Sequence, residues 1–87
     1  MRALYSSARF KREFARLPRA VRLEANEAAQ LLRDDPLDPT FDPIQLTDVR
    51  GTLYRVQIGE YRLIYSFTSK TLLLVAVGHR RDIYRSF

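Results

Sequence analysis

The sequence contains no cysteine, and it has only one histidine among 87 residues. Without cysteine, the chain has no disulfide, no zinc-thiolate site and no thiol nucleophile, which is typical of proteins from a reducing compartment. A single histidine also does not supply the ligand cluster of a zinc site. The longest apolar run, 72–77, is too short to span a membrane, and residues 1–5 lack the apolar core of a signal peptide. We therefore expect a cytoplasmic protein that uses no metal or cofactor and has no membrane partner.

Charge, in contrast, is abundant and comes mainly from arginine, which supplies 13 of the 15 basic residues. The net charge of +5 is unevenly distributed, because residues 1–22 carry +6, residues 23–48 carry −6 and residues 49–87 carry +5. Arginine binds phosphate bidentately and stacks on bases, so this pattern favours a polyanionic partner. The alternative is that arginine is simply the common basic residue of a GC-rich genome.

The first half of the chain predicts a helical hairpin. Phe10, Phe14 and Leu17 recur at helical spacing after Ser6 or Ser7, either of which can act as an N-cap. Pro18 ends this helix and suits the first turn of the next one. The second apolar stripe consists of Val21, Ala25, Ala28 and Leu32, widened by Ala29 and Leu31. A loop with three prolines and four aspartates follows at 34–43, so the second helix ends before Pro36.

The second half predicts strands. Residues 53–58 and 61–67 alternate between apolar and polar side chains around Gly59-Glu60, a pair found in type II′ hairpin turns. A second turn at Ser69-Lys70 leads into the apolar strand 71–77, and a short strand is predicted at 2–6. We therefore expect one α+β domain, residues 1–87, of order β-α-α-β-β-β. The helical hairpin should pack on one face of a small, mainly antiparallel four-stranded sheet.

Strand parity predicts which side chains share a face, if both turns contain two residues. One face is apolar and should contact the helices. The other face collects Arg55, Gln57, Arg62 and His79 beside Ile64, Leu73, Val75 and Val77. Guanidinium, amide and imidazole groups on an otherwise apolar face are a candidate anion site, and Arg80 and Arg81 follow directly. The alternative is that these arginines only solvate an uncovered sheet face.

Other chemistry has weaker support. The acidic loop with Asp34, Asp35, Asp38 and Asp42 lacks the glycine and glutamate positions of an EF-hand, so we do not predict calcium binding. Ser6 or Ser7 with His79 could in principle form a nucleophile and base, but a serine before a helix is more often a cap.

An ordered set of short segments resembles the RelE/ParE superfamily of toxins from bacterial type II toxin–antitoxin systems. The resemblance runs from Leu4 to Tyr84 and is strongest where Gly-x-Tyr-Arg at 59–62 precedes Gly-His-Arg-Arg-x-x-Tyr at 78–84. The supporting segments are Tyr5-Ser6, Phe10-Lys11-Arg12, Leu17-Pro18, Asp35-Pro36, Gly51-Thr52-Leu53-Tyr54-Arg55-Val56, Leu63-Ile64-Tyr65 and Val77. The late Tyr84 favours the RelE-like branch, whose members cut mRNA on the ribosome, over the ParE-like branch, which inhibits DNA gyrase.

The resemblance implies roles for individual residues. Arg62 resembles the strand arginine that contacts the scissile phosphate, Arg80 resembles an electrostatic stabiliser or proton donor, and Tyr84 resembles a tyrosine that stacks on the substrate nucleotide. His79 stands where the best-known member has a lysine, and it can transfer protons near neutrality. Alternatively, it has no catalytic task.

Where that member has two strand lysines, this chain has Arg55 and Gln57, and arginine is a poor general base. We assign Arg55, Gln57 and Arg81 to substrate binding. The implied reaction is metal-independent endoribonuclease cleavage, in which the ribose 2′-OH attacks the adjacent phosphate.

The resemblance also implies partners, namely mRNA on the ribosome and a cognate antitoxin. The predicted apolar surface of Ile64, Leu73, Val75 and Val77 is large for a bare surface, so an antitoxin segment would cover it. Alternatively, the tail from Asp82 to Phe87 folds back over this face. Two other functions remain open: a gyrase inhibitor that acts by binding, and a degenerate, non-toxic member that binds only a partner.

Overall fold

The computed structural model describes residues 1–48 and 51–86, and within them two helices cover one face of a five-stranded sheet. The elements are β1 (Ala3–Ser6), α1 (Ala8–Ala15), α2 (Arg19–Asp34), β2 (Ile44–Asp48), β3 (Gly51–Ile58), β4 (Tyr61–Phe67) and β5 (Thr71–His79), with 3₁₀ turns at Pro39–Phe41 and Ile83–Ser86. The strand order is β1-β5-β4-β3-β2, in which β1 runs parallel to β5 and the other neighbours are antiparallel. This arrangement confirms the predicted α+β fold class.

Local chemistry fixes the helical hairpin where the sequence predicts it. The Ser7 hydroxyl accepts a hydrogen bond from the Phe10 N–H at 3.0 Å and donates one to the Val75 carbonyl at 2.7 Å, so it caps α1 and ties it to β5. Helix α2 ends at Asp34, before Pro36. The buried side of the hairpin packs on the sheet in one core, which includes Phe10, Leu17, Ala25, Ala28, Ala29, Leu32, Val56, Leu63, Tyr65, Leu72 and Leu74.

The sheet contains one strand more than the four predicted. Residues Ile44–Asp48, which directly follow the proline-rich loop, pair with Gly51–Arg55 of β3 as an antiparallel edge strand. The last pair of the β2–β3 ladder joins Ile44 of β2 to Arg55 of β3. Asp42, the next residue in line to bond to β3, has a left-handed φ of 49° at the end of the 3₁₀ turn, so the chain does not continue the ladder before Ile44. Strand β3 therefore extends three residues, 56–58, beyond its β2 partner.

The predicted register holds across the first hairpin but not across the whole of the second. Gln57 pairs with Arg62 as predicted, and Gly59 adopts a φ of 58°, as the first position of a type II′ turn requires. An irregularity between Ile64 and Tyr65 then shifts the β4–β5 register. Arg62 therefore pairs with Gly78, not Val77, and Leu63 pairs with Val77, not Ala76. Ala76 moves to the face away from the helices, whereas Val77 and His79 move to the helix-bearing face.

The prediction of an exposed apolar face is wrong for three of its four residues. Ile64, Val75 and Val77 are buried, and only Leu73 is exposed, with 37% of its surface accessible. Val77 lies in the main core under the helices. Ile64 and Val75 are covered because Ile83 of the C-terminal turn packs against them, together with Leu53 and Ala76. The described part of the tail, 82–86, thus folds back over this face, which is the alternative to cover by a partner, and Phe87 of the predicted tail lies outside the described residues.

Neither of the described helices has the length and apolar character needed to cross a membrane.

Candidate functional site

Arg62 places a buried guanidinium beside the β3–β4 turn. Arg62 is the second residue of β4 and is only 9% exposed. Its Nη1 donates to the Gly59 carbonyl at 3.0 Å and to the Tyr61 carbonyl at 2.9 Å. Its Nε is buried and has no hydrogen-bond partner within the described chain, and no described carboxylate forms an ion pair with it. A buried cation without a counter-charge is costly, so this position attracts an anion.

Arg80 approaches the same turn from the end of β5. Its backbone N–H donates to the Glu60 carbonyl at 2.8 Å, and its Nε lies 2.7 Å from a Glu60 carboxylate oxygen. Both side chains are more than half exposed, so this ion pair contributes little to stability. A phosphate can therefore take the place of the Glu60 carboxylate at low cost. Arg62 and Arg80 bond to neighbouring residues of the turn 59–61, so the structure brings these two predicted residues together.

Tyr84 lies on the face that carries Arg55 and Arg62. The Arg55 Nη1 donates to the Tyr84 hydroxyl at 2.7 Å. Arg55 and Gln57 share a face by strand alternation, and Gln57 stands opposite Arg62. The structure thus collects four of the predicted residues, Arg55, Gln57, Arg62 and Tyr84, on the face away from the helices.

One residue that the sequence analysis does not assign, Ile83, holds Tyr84 in place. Ile83 is 2% exposed and packs the C-terminal turn into the apolar cluster of the same face. The sequence did carry a signal for the anchor, because Ile83 is an isolated apolar residue in a charged tail.

His79 lies apart from the other predicted residues. The register shift places it opposite Tyr61, on the helix-bearing face, where the two rings meet edge to face at 5.5 Å. The predicted placement of His79 on the Arg55 face is therefore wrong. Its Nδ1 accepts a hydrogen bond from the Arg81 N–H at 3.2 Å. In the neutral ring the proton then resides on Nε2, which makes this nitrogen a donor.

The remaining predicted residues are exposed. Gln57 borders the site opposite Arg62, and Arg81 lies in the turn after β5. Glu60, which the sequence analysis assigns only to the hairpin turn, forms an ion pair with Arg80. Within residues 1–48 and 51–86, no group of three histidine, aspartate or glutamate side chains is close enough to hold a metal ion.

Solved structures of toxins share this architecture. The chain resembles the archaeal RelE of the RelE-RelB complex from Pyrococcus horikoshii OT3 with a TM-score of 0.78 and 25% identity, over 93% of this chain and 97% of that chain. For the RelBE2 toxin-antitoxin complex from Mycobacterium tuberculosis the TM-score is 0.76 at 22% identity, over 91% and 98% of the two chains. For YafQ from E. coli strain BL21(DE3) the TM-score is 0.70 at 17% identity, over 97% and 99%.

Sequence comparison gives the family. No curated protein sequence matches the chain. The family model described as "ParE toxin of type II toxin-antitoxin system, parDE" matches residues 4–84, nearly the whole chain. The chain therefore belongs to the ParE toxin family of type II toxin–antitoxin systems, within the RelE/ParE superfamily.

Proposed function

We propose that this toxin is an endoribonuclease that cleaves mRNA on the ribosome and is neutralised by a cognate antitoxin. One observation carries the proposal: the buried Arg62 guanidinium, without a carboxylate partner among the described residues, shares a face with Arg55 and Tyr84 and lies beside Arg80. This combination of cations and an aromatic ring suits a phosphate joined to a base.

The proposed reaction needs positive charge at one phosphate. The ribose 2′-oxygen bonds to the adjacent phosphorus while the bond from phosphorus to the 5′-oxygen breaks, which leaves a 2′,3′-cyclic phosphate and a 5′-OH. Negative charge builds up on the equatorial oxygens during this step. Arg62, fixed in advance by two carbonyls, and Arg80, released from Glu60, stabilise that charge.

Tyr84, in the C-terminal turn, is proposed to position the substrate. The Tyr84 ring is 40% exposed, so it can stack on a nucleotide base, which is worth about 1–3 kcal/mol. Arg55 holds the hydroxyl of this ring and thereby limits its rotation. Gln57 and Arg81 are exposed near the turn and are proposed to contact the flanking backbone.

His79 is proposed to donate the proton that the leaving 5′-oxygen requires. Its ring lies on the helix-bearing face, but it stands opposite Tyr61, the neighbour of Arg62, so this role requires the RNA backbone to cross the end of the sheet at the turn 59–61. The Arg81 N–H occupies Nδ1, so the Nε2 proton is the one available for transfer. The 2′-OH proton goes to another acceptor, for which ordered water or a ribosomal group is available at the working site. Reliance on the ribosome fits an enzyme whose RNA must be presented in reactive geometry.

A second candidate function is inhibition of DNA gyrase by binding, and the match to the ParE family model favours it. On this view the arginines bind the target and no bond is cleaved. Substitution of His79 would then leave toxicity unchanged.

The two functions are separated by one set of assays. The purified toxin is added to ribosomes programmed with a defined mRNA, and to gyrase in a supercoiling assay. We expect codon-dependent cleavage with 5′-OH ends, reduced about 100-fold or more in Arg62→Gln and His79→Ala. The matched control is Lys70→Gln, which removes an exposed cation beyond the opposite end of β4 from the turn 59–61. Gyrase inhibition without mRNA cleavage would contradict the proposal.

A further inference from the structure

A groove of about 360 Å³ lies on the side of the molecule that carries helix α2, and it shares only Gln57 and the turn residue Gly59 with the site described above. We call it the α2 groove. Its lining includes Glu24, Glu27, Ala28 and Leu31 of α2, with Phe41 of the 3₁₀ turn and Ile58 of β3. Ala28 and Ile58 are buried, whereas 47% of the Leu31 surface is exposed. The groove therefore combines an apolar floor with an acidic rim.

One wall of the groove is an open strand edge. Strand β2 pairs with β3 only as far as Arg55, so residues 56–58 have no neighbour on that side in the described sheet. In a hairpin with a two-residue turn, the hydrogen-bonded pairs are Ile58–Tyr61 and Val56–Leu63, in alternation with non-bonded pairs. The N–H and C=O of Gln57 consequently point away from β4, towards the groove that this residue lines. An open edge of this kind accepts an additional strand.

The rim has the charge opposite to that of the chain as a whole. The net charge is +5, yet residues 23–48 carry −6. Glu24 and Glu27 are exposed, stand one turn apart on α2 and form no ion pair within the described residues. Like charges at this spacing repel each other, so a bound cation relieves the repulsion.

We propose that the α2 groove binds an extended basic segment of a partner polypeptide, which pairs with Gln57 as an added strand. An apolar side chain of that segment packs on Leu31 and Phe41, and a lysine or arginine two positions along lies between Glu24 and Glu27. The spacing of two follows because alternate residues of a strand share a face. This is the β-augmentation mode of peptide recognition, in which the backbone gives affinity and side-chain pockets give specificity. The proposal is independent of RNA cleavage.

The test uses a blocked pentapeptide, acetyl-Thr-Leu-Thr-Lys-Thr-amide, titrated into the ¹⁵N-labelled full chain and followed by NMR. We expect saturable shifts of the Gln57, Gly59 and Ala28 amides. Binding should be at least fivefold weaker when glutamate replaces the peptide lysine, and also when the central threonine is N-methylated, because that change prevents strand pairing. Amide shifts confined to residues outside the α2 groove would overturn the proposal. Equal affinity for the lysine, glutamate and N-methylated peptides would also overturn it.

Three variants of the protein test the groove directly. Glu27→Arg should weaken binding at least fivefold, whereas Asp34→Arg, the same charge change on the same helix outside the groove, should not alter it. Leu31→Ser, at an exposed position, should weaken binding without unfolding the chain. If sedimentation shows that the shifts arise from self-association of the toxin, the occupant is a second copy of this chain and the proposal is wrong.

Discussion

Glu13 holds the first helix to the last strand through a single carboxylate. Its Oε1 accepts a hydrogen bond from the Val77 N–H at 3.1 Å, and its Oε2 pairs with the Arg9 Nε at 3.1 Å. Strand β1 covers β5 only from Thr71 to Leu74, so the helix must satisfy the backbone groups beyond. The Ser7 hydroxyl does so for the Val75 carbonyl and Glu13 for the Val77 N–H.

Replacement of Glu13 tests this contact at the scale of one residue. We expect Glu13→Ala to lower the free energy of unfolding by about 1–2 kcal/mol, because the Val77 N–H loses its charged acceptor. Glu13→Gln keeps a carbonyl oxygen and loses only the partly buried i,i+4 ion pair with Arg9, so its effect should be smaller. Urea unfolding measures both. Glu27→Ala, at an exposed site of α2, is the control and should change stability by less than about 0.5 kcal/mol. Equal loss in Glu13→Ala and the control would contradict the assignment.

Among the described elements, the C-terminal 3₁₀ turn packs on the sheet through the Ile83 side chain. Ile83 is the residue of the turn that enters the apolar cluster with Leu53, Ile64 and Val75, and Tyr84 is placed by it. A short element attached by so few contacts opens locally at a lower free energy than the sheet unfolds. The position of the tyrosine proposed to stack on substrate thus depends on an isoleucine that touches no substrate.

Ile83→Ala should release the turn while the sheet stays folded. Loss of a buried isoleucine side chain typically costs 2–5 kcal/mol, and here that cost falls on closure of the turn. We expect trypsin to cleave after Arg81 and Arg85 about tenfold faster or more, as followed by mass spectrometry. Leu37→Ala, the same kind of truncation at a residue that is 49% exposed, is the control. Unchanged cleavage in Ile83→Ala would show that other contacts hold the turn.

The sequence predicts these elements unevenly, for physical reasons. The helices, the first hairpin and the pairing of Gln57 with Arg62 follow from periodicity, Pro18, Pro36 and the Gly59 turn, all of which are local signals. Strand β2 has only five residues, and its apolar residues Ile44 and Leu46 give too short an alternation to identify a strand after a proline-rich loop.

The register shift between Ile64 and Tyr65 is a β-bulge that the sequence does not predict. Of all the differences from the predicted fold, it changes the candidate site most. One extra residue opposite the Ile64/Tyr65 step reverses the face of every later position up to His79. Parity therefore placed Arg55 and Arg62 correctly and His79 incorrectly. The contact between Arg55 and Tyr84 depends on how the tail folds back, which no local pattern encodes.

On the scale of the whole molecule, charge is divided between two regions. The two basic segments of the sequence supply two groups of exposed cations. The first is Lys11 and Arg12 of α1 with Arg16 at its C-cap, and the second is the arginines around the β3–β4 turn. The acidic segment forms most of α2 and the loop behind it. A polyanion and a basic polypeptide can therefore approach from different sides of the molecule, and the two surfaces meet at Gln57, whose backbone lines the α2 groove and whose side chain is proposed to contact RNA.

Global stability should also depend on pH through one buried tyrosine. Tyr65 is fully buried and donates its hydroxyl proton to the Pro36 carbonyl, which ties the centre of the sheet to the loop after α2. Burial raises the pKa of the Tyr65 phenol well above its usual value near 10, and the charges of Tyr54 and Asp35 raise it further. Above pH 10 the unfolded chain therefore loses this proton while the folded chain keeps it.

The consequence is a stability that is complete below about pH 10 and falls as the pH rises towards the folded-state pKa, by up to about 1.4 kcal/mol per pH unit. Tyr65→Phe should remove this alkaline loss, at a cost of about 1 kcal/mol at neutral pH because the buried Pro36 carbonyl loses its donor. Tyr5→Phe, at a site that is 56% exposed, should keep the wild-type profile. Urea unfolding between pH 7 and pH 11 measures all three chains. An equally steep alkaline decline in Tyr65→Phe would assign the loss to other groups, since the phenol at position 65 would then not be the one that the fold protects.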